Sequence, residues 1–175
     1  MRRTPAFTLI ELILYVAILA IVLGGLTQLA WTVVGAGNKS ATQEEISAQA
    51  RYVSARITSE IRNANGINTG SSTFDTNLAL APAAQLSLAA TAPNDPTLIS
   101  VAAGKVRLKQ GAAAAINLNS DRTTVQDLTF SNYTSLDNKT KNITYTLTLS
   151  TTSGSGRYEY SETISLRGDA EIRSN

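Results

Sequence analysis

The 175-residue chain has no cysteine and no histidine. The first absence excludes a disulfide scaffold, a Cys-ligated zinc site, a thiol nucleophile and a lipoprotein-type Cys anchor. The second removes the usual general base and the commonest transition-metal ligand. No Gly-rich phosphate loop or nucleophile elbow is visible. Asp121, Asp127 and Asp137 lack calcium-loop spacing. The residues therefore point away from an enzyme, and no metal or cofactor is expected. Charge is scarce as well. Charged residues make up 16% of the chain, and the net charge is +2. Removing residues 1–6 takes away Arg2 and Arg3 and leaves 13 charges of each sign, so no global basic field favours nucleic acid.

What the chain does have is one long apolar run. A short basic head, Met1 to Ala6, is followed by Phe7-Thr8-Leu9-Ile10-Glu11-Leu12, and no further charge appears until Lys39. As a helix, Leu12 to Val34 would span roughly 35 Å, enough to cross a hydrocarbon core of about 30 Å with some tilt. Arg2 and Arg3 would keep the N-terminus cytoplasmic. Trp31 fits an interfacial anchor. A conventional signal peptide ending at Gly35-Ala36-Gly37, a plain signal anchor and a buried helix compete with this reading. Glu11 separates them, because a carboxylate inside a bilayer costs on the order of 2.5–3.5 kcal/mol. It becomes useful if a cation meets it. A new N-terminus at Phe7 would supply an ammonium, and charge pairing would reward correct register between stacked helices.

The stretch Ala6-Phe7-Thr8-Leu9-Ile10-Glu11-Leu12, with its basic leader and apolar helix, resembles the class III leader of type IV pilins and pseudopilins. The resemblance implies cleavage of the Ala6–Phe7 bond by a membrane prepilin peptidase and methylation of Phe7. It also implies that Glu11 guides assembly. Ala6 stands where the family usually has Gly and keeps the small size, and Pro5 precedes it.

Beyond Val34 the helix is expected to continue. Ile46, Ala50, Val53, Ile57, Ile61 and Ala64 follow at steps of three and four, which predicts one apolar face. Arg56 and Glu60 are spaced to pair on the exposed side, and Asn65-Gly66 reads as a left-handed stop. A helix over Phe7–Ala64 would be roughly 85 Å long. Gly24-Gly25, Gly35 and Gly37 interrupt it, as tolerated membrane glycines or as a soft point that bends on packing. Residues 67–84 read as a loop. Strands are predicted over Gln85–Ala90, Thr97–Ala102, Lys105–Gln110, Val125–Tyr133, Ile143–Thr151 and Arg157–Arg167. An Ala-Gly turn joins the second and third, and Ser153-Gly154-Ser155-Gly156 joins the last two. The fold class is thus α+β: a long N-terminal helix whose amphipathic half covers one face of an antiparallel sheet. The domains expected are a leader over 1–6, a transmembrane and filament-core helix over 7–38, an amphipathic helix over 39–66 and a β-rich head over 67–175.

Residues Ala50–Ala64, the strand Asp127-Leu128-Thr129-Phe130 and the Thr-rich hairpin ending Leu166-Arg167-Gly168 resemble minor subunits of the same family. These are pseudopilin J of type II secretion, minor pilin W of pili and their Gram-positive competence relatives. The resemblance implies a structural subunit stored in the inner membrane, head outside, and then drawn into an extracellular filament. The partners implied are other pilin or pseudopilin subunits, the peptidase and an inner-membrane assembly platform. A surface pilus, a type II secretion pseudopilus and a DNA-uptake pseudopilus stay open. So does a secreted, non-catalytic binding module cut after Gly37. Lys105, Arg107 and Lys109 alternate on one strand; the ladder reads as a charged guard on a sheet edge, or as a contact for nucleic acid or an acidic subunit. Asn138-Lys139-Thr140 and Asn142-Ile143-Thr144 match glycosylation acceptors, a pattern that Thr-rich sequence produces by chance.

Overall fold

The computed structural model describes residues 8–136, 140–151 and 161–172, with backbone only at 35, 36 and 38. Its elements are α1 (Leu9–Asn63), β1 (Gly66–Ile67), a 3-10 turn (Thr69–Ser71), β2 (Gln85–Ala89), β3 (Thr97–Ala102), β4 (Lys105–Gln110), β5 (Ile116–Asn117), β6 (Thr123–Asn132), β7 (Asn142–Thr151) and β8 (Thr163–Glu171). The chain divides into two compact units, Met1–Ala41 and Thr42–Asn175.

In the second unit the periodicity of α1 turns into packing. Ile46, Ala50, Val53, Ile57, Ile61 and Ala64 are at most 3% exposed, and they share one core with the inward residues of the strands. The alternation of β7 does the same: Ile143, Tyr145, Leu147 and Leu149 are buried between half-buried threonines. The architecture is α+β and pilin-like, a long N-terminal helix whose later part packs on antiparallel sheets.

There are two sheets where one was expected. β1-β2-β3-β4-β5 form the first and β6-β7-β8 the second, antiparallel throughout. Buried polar side chains set the division. Asn119 accepts from Val106 N at 2.8 Å and donates to Thr123 O at 2.8 Å. Its amide thus occupies the place a longer β5 would take beside β4. The sheets meet where Val125 N donates to Gly104 O at 3.0 Å, in the β3–β4 hairpin turn. That turn is the expected Ala-Gly pair, with φ of 51° at Ala103 and 71° at Gly104, the two positive values of a tight type I′ connection.

The segment before β2 is a loop, as expected, but an ordered one that joins the sheets. Thr73 N donates to Gln85 O at 2.8 Å on one side, and Asp75 N and Leu78 N donate to Phe130 O and Leu128 O on the other. Leu78 is fully buried, and the Asn77 side chain bonds Ala79 N, Leu128 N and Gln126 O beside the bulge at Val125/Asp127.

Three further expectations change. Asn65-Gly66 is no left-handed stop, since neither residue has positive φ; Asn65 N donates to Ala89 O, and Gly66 enters β1 directly. β8 runs Thr163–Glu171, four residues beyond Arg167, because Ala170 and Ile172 still reach the core. Ile164 and Leu166 are half-buried on the predicted face, while Tyr158, Tyr160 and the Ser153–Gly156 connection lie outside the described residues. Arg56 and Glu60 do pair, at 2.8 Å, but Glu60 is buried and also accepts from Gln110 Nε2 at 3.0 Å. A hydrogen-bonded carboxylate tolerates burial that a lone one would not.

Candidate functional site

The helix of the first unit begins at Leu9, directly after Thr8. Both Glu11 N and Leu12 N donate to Thr8 O, at 3.1 and 3.2 Å, so Glu11 stands in the first turn of α1. Thr8 and Glu11 have the capping-box spacing. A carboxylate here also faces the positive end of the helix dipole. The register reading of Glu11 missed this local fit, although Thr-x-x-Glu before an apolar run is its ordinary sign. Glu11 is half-buried. Ala6 and Phe7, the expected cleavage and methylation positions, lie outside the described residues.

From Leu9 to Val34 every Leu, Ile, Val, Tyr and Trp is exposed, from 49% at Val22 to 77% at Leu9. Leaving that many large apolar side chains in water would cost on the order of tens of kcal/mol. Among the described residues this is the one helix long and apolar enough to cross a membrane. Its hydroxyls turn inward: Thr27 Oγ1 donates to Leu23 O at 2.8 Å and Thr32 Oγ1 to Gln28 O at 3.0 Å. Such bonds suit apolar surroundings, where water cannot satisfy them. Among the described residues nothing packs against Gly24, Gly25 or Gly37, where a Cβ would meet nothing within 4 Å. Trp31, at the far end of the run, is 74% exposed.

The other sequence-derived candidates sit in the second unit and do not form a site. The basic ladder is divided. Lys105 Nζ donates to Thr123 O at 3.0 Å and to Ser120 O, and lies 3.4 Å from Asp121 Oδ1. Only Arg107 and Lys109 stay exposed. Nor is β4 a bare edge, since β5 pairs with it at Arg107 and Leu108. Asn142, the second chance match to a glycosylation acceptor, lies in β7 and is half-buried, with its Oδ1 buried. Asn138, Lys139 and Asp137 lie outside the described residues. Asp127 accepts from Thr129 Oγ1 at 2.8 Å. Among the described residues no three acids gather where a metal ion would sit.

The prokaryotic N-terminal methylation motif matches residues 1–27, which covers Ala6, Phe7, Glu11 and the first turns of the exposed helix. No curated protein and no solved structure matches the chain at a significant level. The chain thus carries the prokaryotic N-terminal methylation motif at its head and a pilin-like α+β fold behind it.

Proposed function

We propose that this chain is a structural subunit, a minor pilin or pseudopilin, of a type IV pilus-like filament, with no catalytic role. On this reading residues 1–6 are a leader that a prepilin peptidase removes at Ala6–Phe7, and Phe7 is then methylated. Residues 7–38 hold the subunit in the inner membrane, N-terminus cytoplasmic and head outside, and later pack in the filament core. Residues 39–66 tie that helix to the head over 67–175. Glu11 meets the ammonium of a neighbouring Phe7 and fixes the register of stacked helices. The partners are other pilin-like subunits, the peptidase and an inner-membrane assembly platform.

The observation that carries this reading is the coincidence of the methylation motif over residues 1–27 with a helix whose apolar side chains are all uncovered from Leu9 to Val34. A lipid bilayer and a bundle of like helices both cover such a surface, and a filament subunit uses them in turn. The same features serve a type II secretion or DNA-uptake pseudopilus, which deletion phenotypes in secretion or transformation distinguish from a surface pilus. A secreted module cut after Gly37 fits less well, because α1 continues through that position to Asn63. The test is fractionation. The chain is expected in membranes and in sheared surface fibres, and only in membranes when the prepilin peptidase is deleted. Recovery as a free soluble protein in both strains contradicts the proposal.

A further inference from the structure

In hydrocarbon, apolar helices gain nothing from hydrophobicity by meeting, so polar side chains and close backbone approach decide which faces touch. Gln28 is the one amide side chain between Leu12 and Val34. It is exposed. The neighbouring hydroxyls of Thr27 and Thr32 are already bonded to backbone carbonyls of the helix, whereas the Gln28 amide has no such partner among the described residues.

The helical turn places particular residues beside it. At about 100° per residue, Ala17 and Ile21 lie within about 20° of Gln28 around the helix, and Gly24 and Thr32 within about 40°. Leu19, Leu26 and Ala30 fall about 160–180° away, and Glu11 about 100° away, on a different face. Gly24 lies one turn before the amide. A Cβ there would meet nothing within 4 Å among the described residues, so none of them asks for glycine at that point. A second helix would, because glycine lets two backbones approach until a short amide can reach across.

We propose that the face of α1 carrying Gly24, Gln28 and Thr32 seats the same face of a second copy of this chain, with the two Gln28 amides hydrogen-bonding to each other. The inference rests on α1 lying in a membrane beside other copies, as proposed above. Two features of the amide select a second copy. It carries both donor and acceptor, so it complements itself. Copies inserted in the same direction also carry it at the same depth, so the two meet without a shift along the axis. The opposite leucine face is left to lipid. This contact lies on a different face from Glu11, about 25 Å further along the axis, and so involves a different neighbour.

The chain has no cysteine, so a single introduced thiol reports one position. Full-length chain carrying Ile21→Cys or Leu26→Cys, reconstituted in phosphatidylcholine vesicles and oxidised, is expected to give several-fold more disulfide dimer at position 21. Adding Gln28→Leu should lower dimer at position 21 about three- to tenfold, and Gln28→Asn should keep most of it. Equal cross-linking at the two positions, or no loss with Gln28→Leu, overturns the inference and leaves the filament reading standing. Failure of the chain to float with the vesicles overturns both.

Discussion

Tyr145 on β7 lies against Gly168, its register partner on β8, so closely that a Cβ at Gly168 would stand 2.4 Å from Tyr145 Cζ and Oη. The missing side chain lets the ring cross β8. The phenol then donates to Ser54 O at 3.0 Å and stands 2.7 Å from both Ser54 Oγ and Thr58 Oγ1 on α1. One glycine on a strand thus lets the sheet grip the helix. Gly168→Ala is expected to destabilise the head by about 1–3 kcal/mol through overpacking, and Tyr145→Phe by about 1 kcal/mol through lost hydrogen bonds. Thermal unfolding of the full chain in detergent micelles checks both. A Gly168→Ala effect below about 0.5 kcal/mol, the size of an ordinary surface change, contradicts the account.

Asn119 is 5% exposed, and its Oδ1 accepts from the buried Val106 N–H at 2.8 Å. Asn119→Ala should therefore cost about 2 kcal/mol, since it strands a buried donor as well as losing a bond. Amide hydrogen exchange at Val106 is the direct check, with faster exchange in the variant expected and unchanged protection counting against it.

The three basic residues of β4 should behave differently from one another. Lys105 is tied to the 120–123 turn, whereas Arg107 and Lys109 point to solvent. Lys105→Ala is expected to lower stability by about 1 kcal/mol. Arg107→Ala with Lys109→Ala should stay within about 0.5 kcal/mol. Comparable losses in the unfolding midpoint for the two variants would show that the division is wrong.

Glu11→Ala removes a carboxylate whose burial in a bilayer costs about 2.5–3.5 kcal/mol, so membrane insertion should be unimpaired. Incorporation into fibres should fall by more than about tenfold, the equivalent of one lost charge-assisted hydrogen bond of about 1.5 kcal/mol. Quantitative blotting of membrane and fibre fractions reads both. Equal incorporation of variant and parent chain would remove the register role.

Much of this architecture is legible from residue order, because period is a local property. The stripe from Ile46 to Ala64 and the alternation of Ile143–Leu149 need only the geometry of their own element, and all ten residues named in them are buried. What the pattern hides depends on partners far away in the chain. Glu60 looks like a surface acid until Gln110, fifty residues on, donates to it. Asn119 and Asn77 look like loop residues, yet their amides divide and join the sheets. Gly168 looks like a strand end, although β8 runs on to Glu171 and the tyrosine ring fills its empty side. At the N-terminal site, Glu11 was legible as an acid out of place, and the spacing from Thr8 as a helix start went unread.

The most direct test is N-terminal mass spectrometry of the chain recovered from surface fibres. The account predicts a polypeptide that begins at a methylated Phe7. A chain that keeps Arg2 and Arg3, or one that begins at Asn38, would contradict it.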